Sequence, residues 1–237
     1  MARTLLCTAA AIFLVLTVSY AHAGIISGGA KSIASAFESR YRNARTLRAA
    51  FLERYSDGSG AVTVESGTVY FSRPGRMRWE YESPEEKLFL VDGKTAWFYV
   101  PADHVVSRAK IKESSDWRTP LALLAGSANL ASVCQSLSVV DAAAVPAGAQ
   151  GEPGSSGVAA TVLLCLPKGE ADSEVFLRID SNSWVVRLLI REPGKIETEF
   201  RFGNWEEDIA IPPEKFRFQP PPGASVVDES ALAGTIH

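Results

Sequence analysis

The chain has 237 residues, of which 46% are hydrophobic, and a formal net charge of −3 from 24 basic and 27 acidic side chains. This balance excludes the basic surface that nucleic-acid-binding proteins need, so we expect no nucleic acid among its partners. The length is sufficient for one domain with a large hydrophobic core.

The N-terminus has the features of a secretory signal peptide over residues 1–23. Arg3 supplies a positive charge, residues 5–18 form a short apolar core, and Ala21-His22-Ala23 fits the small-x-small cleavage pattern. The apolar core is too short to cross a bilayer comfortably as a helix. We therefore predict cleavage after Ala23 and export of a single domain over residues 24–228. No cysteine follows the cleavage site, which argues against a lipid anchor.

The exported chain begins with a predicted amphipathic helix over residues 30–45. Ile33, Phe37 and Tyr41 recur there every four residues, which places them on one face of a helix. Alternating apolar and polar residues then predict antiparallel strands, because the turns between them are short and short connections favour antiparallel neighbours. These strands are predicted at 47–55, 61–73, 76–82, 86–91, 95–100 and 104–110.

The second half of the chain begins with helical signals and continues with further strands. Thr119-Pro120 is a typical helix start, so we predict one helix over 120–125 and a short one over 128–135. Residues 142–157 are rich in Gly, Pro and Ala, which predicts a flexible surface loop. The strands are predicted at 136–141, 158–167, 174–180, 184–192 and 195–205, with Trp184, Val186, Leu188 and Ile190 on one face of the fourth.

The C-terminal region is predicted to leave the sheet after one more short strand. Phe216-Arg217-Phe218 has the alternation of such a strand, and it follows one possible helical turn within 211–216. Pro220-Pro221-Pro222 then ends any ladder, since proline has no amide proton to donate. We predict a mobile tail after Gly223, with residues 229–237 outside the domain.

The predicted fold is mainly β, of the α+β class, with about ten antiparallel strands and two or three short helices. An antiparallel sheet of this size curls. These patterns leave two architectures open, a closed barrel and an open sheet whose concave face is covered by the helices.

Catalytic signals are weak. His104 and the terminal His237 are the histidines that remain after cleavage, and no G-x-S-x-G, H-E-x-x-H or glycine-rich phosphate motif is present. We interpret His104 as a solvent-facing residue, and the acidic runs Glu85-Glu86 and 206–208 as solvated surface groups. We therefore expect no enzymatic activity, no cofactor and no metal site.

Two cysteines, Cys134 and Cys165, also remain after cleavage. An even pair in an oxidising compartment is compatible with a disulfide bond. Two buried thiols are an equally weighted alternative, since a free cysteine packs as a small hydrophobic residue. No C-x-x-C redox motif and no zinc-ligand spacing is present.

Arg73 interrupts an otherwise apolar row. Val69 and Phe71 precede it on the same side of their strand, and Met77 and Trp79 share one side of the next. A guanidinium keeps its proton and needs acceptors wherever it is buried. Arg73 therefore either escapes at the strand end, paired with a nearby acid, or fastens a specific part of the fold. The apolar rows are either ordinary core or the lining of a site for an apolar ligand.

Five segments of the chain carry a family resemblance. They are Thr46-Leu47 with Ala50-Phe51, Gly67 through Arg73-Pro74 to Trp79, Asp92-Gly93-Lys94-Thr95 with Trp97 and Tyr99, Thr119-Pro120-Leu121-Ala122-Leu123-Leu124, and Phe216-Arg217-Phe218-Gln219-Pro220-Pro221 with Gly223. In this order, and behind a signal peptide, they resemble the LolA family, the periplasmic carriers of outer-membrane lipoproteins. Each segment alone is a weak signal, whereas five in register are specific.

The resemblance implies an unclosed, strongly curved antiparallel β-barrel with a lid of short α-helices. It also implies a periplasmic chaperone, without catalysis or cofactor, that carries the acyl chains of lipoproteins. Such carriers receive lipoproteins from an inner-membrane ABC transporter complex and give them to an outer-membrane receptor, so these are the expected partners of a monomeric chain. The alternative is a periplasmic lipid or lipopeptide sensor of envelope stress, although such relatives usually add a second domain.

The resemblance also implies roles for particular residues. Arg73 matches the arginine that closes the empty carrier by hydrogen bonding to lid carbonyls, here near Tyr41 and Leu124, with an ion pair as the alternative. The acyl chains are expected to contact apolar side chains of the sheet and the lid, with ordinary core packing as the alternative for each. These side chains are Phe37, Val69, Phe71, Met77, Trp79, Tyr81, Leu121 and Leu124.

Three features depart from the family pattern. Met77 stands where the family often has an aromatic residue, the loop at 142–157 is longer than usual, and the Cys134 and Cys165 pair is not a general family feature. If joined, the two cysteines would tie the end of the lid region to a strand. These departures leave the surfaces that contact partners open.

Overall fold

The structure of the protein, a computed structural model, describes residues 28–111, 124–126, 129–141, 145, 160–170 and 172–228. Within these ranges the helices are α1 (Gly28–Asn43) and α2 (Leu130–Val133). The strands are β1 (Thr46–Ser56), β2 (Val62–Ser72), β3 (Arg76–Ser83), β4 (Lys87–Val91), β5 (Thr95–Val100), β6 (Val105–Lys110), β7 (Cys134–Val140), β8 (Ala160–Pro167), β9 (Glu174–Asp180), β10 (Val185–Glu192), β11 (Ile196–Glu207) and β12 (Ser225–Asp228). Short 3-10 turns occupy Pro101–Asp103, Pro193–Lys195 and Pro213–Phe216.

These strands form one 12-stranded sheet in the order β12-β6-β5-β4-β3-β2-β1-β11-β10-β9-β8-β7. Strands joined by short turns pair antiparallel, as predicted from β1 through β6. β1 also pairs antiparallel with β11, which joins the two halves of the chain. The edges of the sheet, β12 and β7, do not pair with each other, so the curved sheet is unclosed. The predicted mainly β fold is thereby confirmed, with a few more strands than expected.

One face of the sheet packs against the helices and carries the hydrophobic core. In β1, the buried residues Leu47, Ala49, Phe51 and Glu53 alternate with exposed ones, so their side chains share this face. We term it the inner face, and the opposite one the outer face. Withdrawal of the inner apolar side chains from water is the main favourable contribution to folding.

α1 lies on the inner face because its buried residues repeat at helical spacing. Ala30, Ala34, Phe37 and Tyr41 follow one another at intervals of three or four residues, and none is more than 6% exposed. Two arginines lie in its last turn, where the helix dipole favours positive charge. The predicted helix is present, displaced by two residues toward the N-terminus.

The chain after β11 crosses the outer face, and the strand predicted at 216–218 is wrong. Pro213–Phe216 is a 3-10 turn, and the Phe216 ring, 2% exposed, lies 5.4 Å from the guanidinium of Arg76. The Phe218 ring follows at 5.7 Å from that of Trp97. Two aromatic residues that alternate suit a short strand and an irregular segment equally, so the local pattern could not separate them.

The tail predicted to be mobile after Gly223 is ordered as far as Asp228. Ser225–Asp228 forms β12, which pairs parallel with β6. Arg108 of β6 also forms an ion pair with Asp228. Parallel pairing after a long crossing is a long-range contact, and no local pattern indicates it. Residues 229–237 lie outside the described residues.

The apolar row predicted for β10 is partly wrong, because the pairing register of this strand shifts. The pairing of β10 with β9 shifts between Val185 and Arg187. As a result Val185, which is fully buried, belongs to the inner core together with Leu188 and Ile190, whereas Val186 does not. A bulge adds one residue to one strand, so it reverses the facing of the residues before it.

The remaining predicted elements are described in part. The short helix expected at 128–135 covers Leu130–Val133, and β7 begins directly after it. Of the helix expected at 120–125, Leu124 is helical and residue 125 lies in a turn, while the rest lies outside the described residues. In the predicted loop at 142–157, Val145 is described and its side chain is buried. The predicted signal peptide also lies outside the described residues.

Candidate functional site

The described residues predicted to contact acyl chains belong to one buried cluster, in which none of them is more than 5% exposed. They are Phe37 of α1, Leu124 of the turn at 124–126, Val69 and Phe71 of β2, and Met77, Trp79 and Tyr81 of β3. Leu121 lies outside the described residues. Burial of this kind also suits an ordinary core, so contact with a ligand stays a prediction.

Aromatic rings around Trp79 dominate this cluster. The centroid of the Trp79 ring lies 4.8 Å from that of Phe51, 5.4 Å from Phe200 and 6.2 Å from Phe71. Phe51 was not among the predicted site residues. The indole N–H of Trp79 is buried and has no acceptor among the described residues. Such donors are rare in native proteins, which makes this one a candidate contact for a ligand oxygen.

Arg73 lies directly after β2 and connects the sheet to the segments packed on its inner face, α1, the turn at 124–126 and α2, which we term the cover. Its Nη2 donates hydrogen bonds to the backbone oxygen of Tyr41, near the end of α1, and to that of Leu124 at 2.9 Å. One guanidinium thus contacts two separate segments of the cover. The amide of Arg73 donates to the Arg45 oxygen at 3.0 Å, which fixes the strand end. Within the described ranges no acid pairs with Arg73, so its contacts are with carbonyl groups.

The guanidinium of Arg73 is only partly satisfied. Its Nε and Nη1 are buried and have no acceptor in the described part of the chain. Burial lowers its pKa to about 10, which still leaves it charged at neutral pH. Gly126, at a φ of +66°, closes over the group, and a Cβ at this position would lie 2.7 Å from Arg73 Cζ. Position 126 therefore requires glycine for both its backbone and its contact.

The end of α1 is anchored to the second half of the sheet. The Tyr41 hydroxyl accepts a hydrogen bond from the amide of Val185 at 3.1 Å. The neighbouring Arg40 guanidinium lies 3.8 Å from the centre of the Trp184 ring, a cation–π contact. The Tyr41 carbonyl that accepts from Arg73 therefore belongs to a well-anchored turn.

The α2 segment of the cover is anchored to α1 and to the residue that follows β8. Glu38 of α1 accepts a hydrogen bond from the amide of Leu130 at 2.7 Å. Lys168 donates to two carbonyl oxygens of α2, each at 2.9 Å. Cys134 and Cys165 are joined by a disulfide bond, with their Cα atoms 5.4 Å apart. Of the two alternatives for the cysteines, the structure has the bond, which ties the end of α2 to the sheet.

Glu53 places a carboxyl group on the apolar inner face, where it is 5% exposed. Its Oε2 accepts a hydrogen bond from the Tyr81 hydroxyl at 2.8 Å. Burial raises the pKa of Glu53 from 4.5 to about 7, although the Tyr81 hydrogen bond opposes this. Sequence reasoning missed this residue, but a signal was present, since Glu53 follows Leu47, Ala49 and Phe51 on one side of its strand.

Other polar candidates lie away from the inner face. His104 is exposed after the 3-10 turn Pro101–Asp103, and Glu85 and Glu86 are exposed as well. The described ranges contain no group of three or more His, Cys, Asp or Glu side chains that could hold a metal ion. None of the helices in these ranges has the length and apolar character to span a bilayer.

Comparison with known proteins gives a consistent result. The family model described as "Outer membrane lipoprotein carrier protein LolA" matches residues 42–144. An "Outer-membrane lipoprotein carrier protein" of Nitrosospira multiformis is 32% identical over 223 residues, 92% of this chain and 95% of the relative. One of the same name from Chromobacterium violaceum is 28% identical over 217 residues, 91% of this chain and 97% of the relative. The crystal structure of an uncharacterized conserved protein from Thermus thermophilus shares the fold, with a TM-score of 0.50 at 13% identity over 85% of this chain and 99% of that one.

Proposed function

This chain belongs to the LolA family of outer membrane lipoprotein carrier proteins, and on that premise we propose that it is a periplasmic chaperone for lipoproteins. It covers the acyl chains of lipoproteins released from the inner membrane and carries them to the outer membrane. The observation that supports this most directly is the apolar inner face under a helical cover that one guanidinium holds.

The energetics of lipid transfer explain why such a face suits a carrier. Each methylene group withdrawn from water contributes about 0.8 kcal/mol, so acyl chains do not cross an aqueous compartment uncovered. A carrier must offset this cost and still release the chains. Aromatic rings such as Trp79 supply apolar area, while Met77 supplies a flexible thioether that adapts to different chains. The indole N–H of Trp79, which has no acceptor in the described part of the chain, can donate to an ester carbonyl of the ligand.

In this proposal Arg73 holds the empty carrier closed. Its two acceptors, the carbonyls of Tyr41 and Leu124, lie on separate segments, so opening of the cover for a ligand breaks these bonds. A hydrogen bond to a charged group contributes about 1.5–3 kcal/mol. The Nε and Nη1 atoms of Arg73 are buried without an acceptor among the described residues, and the cost of removing them from water opposes this gain. The closed cover is therefore stable enough to form and weak enough to open, and the bonds that re-form favour release.

The partners and the location follow from the same proposal. The chain is exported by a signal peptide cleaved after Ala23, and its domain over residues 24–228 acts as a monomer in the periplasm. It accepts lipoproteins from an inner-membrane ABC lipoprotein-releasing complex and gives them to an outer-membrane receptor. The sensor alternative is less favoured, because the two relatives named as carriers match over 95% and 97% of their own length.

A release assay tests the carrier function. The chain from Gly24 onward is incubated with spheroplasts that display labelled lipoprotein, and the supernatant is analysed by size exclusion. We expect a soluble complex of one carrier with one lipoprotein. Labelled lipoprotein that stays with the spheroplasts at every carrier concentration would contradict the function.

A variant of Arg73 tests the role of the cover. Arg73→Leu should still release lipoprotein but transfer it to outer membranes at least about tenfold less efficiently, the effect of about 1.4 kcal/mol. The control Arg48→Leu makes the same change at an exposed residue of β1 that pairs with Glu206 at 3.3 Å. It should release and transfer normally. Normal transfer by Arg73→Leu would remove Arg73 from the mechanism.

A further inference from the structure

Four polar side chains form a row across the inner face, at the end opposite to Arg73. Glu53 of β1 and Glu65 of β2 are direct cross-strand partners, as are Tyr81 of β3 and Lys87 of β4. The Tyr81 hydroxyl donates to Glu53 at 2.8 Å, and Lys87 forms an ion pair with Glu65. We term these four residues the polar row.

When Glu53 is ionised, the polar row carries two negative charges and one positive charge. Glu65 has Lys87 as an ion-pair partner, whereas the hydrogen bond that Glu53 receives within the described residues comes from a neutral phenol. Glu53 is nevertheless 5% exposed, with Phe51 beside it on β1 and Phe200 directly opposite on β11. A carboxylate in such surroundings is costly unless a cation or further donors reach it.

We propose that the ionised carboxylate of Glu53 binds the protonated amine of an acylated ligand carried on the inner face. The proposal rests on the proposed carrier function and adds a class of head group to it. An ammonium group supplies both the positive charge that the polar row lacks when Glu53 is ionised and further hydrogen-bond donors for its carboxylate. An anionic head group would meet the negative charge of Glu53 instead and is disfavoured.

This contact sets the direction in which the ligand lies. From Glu53 back to Leu47, β1 runs about 20 Å at about 3.3 Å per residue. The inner side chains between them, Phe51 and Ala49, are apolar. The acyl chains of a ligand bound at Glu53 extend along these residues toward Arg73 and the cover. The polar row is thus the head-group end of the inner face.

The protonation state of Glu53 adds a second variable to the test. Its pKa is raised to about 7. Burial is the largest cause and the charge of Glu65 adds to it, whereas the Tyr81 hydrogen bond and the charge of Lys87 lower the pKa. The opposite residue on β11, Phe200, is uncharged. An alkyl amine such as dodecylamine has a pKa of about 10 and stays protonated below pH 8. Binding of an amine should therefore strengthen as Glu53 ionises with rising pH.

Two probes of equal chain length, dodecylamine and dodecanol, test the site by calorimetry with the exported chain. At pH 8 we expect the amine to bind about tenfold more tightly than the alcohol, and at pH 6 we expect most of this preference to disappear. Glu53→Gln should bind both probes alike at either pH, with unchanged affinity for dodecanol. Glu80→Gln, the same change on the outer face of β3, should keep the preference.

The outcomes separate this proposal from the carrier function. An amine preference that survives in Glu53→Gln would overturn the proposal, because the amine would then bind elsewhere. Equal binding of both probes by the unmodified chain would overturn it and leave the carrier function intact. Failure of both probes to bind would contradict the carrier function and this site with it. The pH dependence requires no variant, so a preference that does not change with pH also overturns the proposal.

A second pair of probes identifies the source of the amine. A dipalmitoyl-glyceryl-cysteine peptide with a free α-amine is compared with its N-acetylated form, and phosphatidylethanolamine is compared with its N-acetylated form. A loss of binding on acetylation of the peptide that depends on Glu53 assigns the site to the lipid-modified N-terminus of a protein. The same loss for the phospholipid alone assigns it to a lipid head group, and no loss in either pair overturns the proposal.

Discussion

Replacement of Glu53 by glutamine tests how much the buried carboxyl group costs the fold. In the folded chain its ionisation places a charge beside Phe51 and Phe200, with one hydrogen bond from Tyr81. In the unfolded chain the same group is hydrated. The folded protein therefore binds this proton more tightly than the unfolded chain does. Glutamine has nearly the same shape and cannot ionise, so Glu53→Gln removes this difference.

The sign and the size of the effect follow from the pKa of Glu53, which burial raises from 4.5 to about 7. The stability that this proton contributes is fully present below pH 4.5 and is lost as the pH rises through about 7. At about 1.36 kcal/mol per pH unit the whole shift is about 3 kcal/mol, and about 2.5 kcal/mol of it falls between pH 5 and pH 8. This corresponds to about 5–10 °C in Tm for a domain of this size.

Urea unfolding followed by tryptophan fluorescence at pH 5, 6, 7 and 8 measures the free energy of unfolding. The difference between Glu53→Gln and the unmodified chain should rise by about 2.5 kcal/mol over this range, since other titrating groups cancel. Glu80→Gln is the control. Burial raises the pKa of Glu80, but hydrogen bonds from Lys215 and Arg78 outweigh this and lower it, so its difference should stay constant. A difference that stays constant for Glu53→Gln would show that the Glu53 carboxyl group does not titrate in this pH range.

Two further predictions concern the cover. Gly126→Ala places a Cβ 2.7 Å from Arg73 Cζ, so transfer of lipoprotein should fall as in Arg73→Leu, while Gly169→Ala, at a φ of +78° with nothing within 4 Å, should transfer normally. Equal transfer by both glycine variants would contradict this. Replacement of Cys134 and Cys165 by alanine should lower the free energy of unfolding by about 3–4 kcal/mol, because the bond spans a sequence separation of 31. A reducing agent should lower that of the unmodified chain equally in urea unfolding, and no effect of reduction would contradict the expectation.

The strands were predictable because their signals are local. β5 and β9 have the predicted bounds, and β3 extends one residue beyond its prediction. In β3 the strict alternation of Met77, Trp79 and Tyr81 with charged residues, after a Pro-Gly turn, defines both the strand and its inner face. Strand β12 has no such pattern, and its four residues are all exposed. It forms because the segment that follows β11 crosses the outer face and ends beside β6.

The sequence indicated most residues of the candidate site but few of the contacts between them. The row of Val69 and Phe71 pointed to Arg73 as an exception, because a charge at the end of an apolar row is visible in the sequence. Glu53 is the same kind of exception on β1, where it follows the buried Ala49 and Phe51, but it was not among the predicted site residues. Its partner Tyr81 belongs to a different strand, so the pair appears only when the strands are side by side.

Local periodicity in the sequence is enough to show which side chains share a face of most strands and which face of α1 is apolar, because both are properties of the local backbone. Only the folded arrangement shows which carbonyls Arg73 reaches, that Glu53 contacts Tyr81, and that the register of β10 shifts after Val185. The hydrogen bonds of Arg73 and Glu53 join residues 28 to 51 positions apart in the chain. Their geometry depends on how a twelve-stranded sheet curves under its cover, and that curvature is a sum over the whole fold that no short segment encodes.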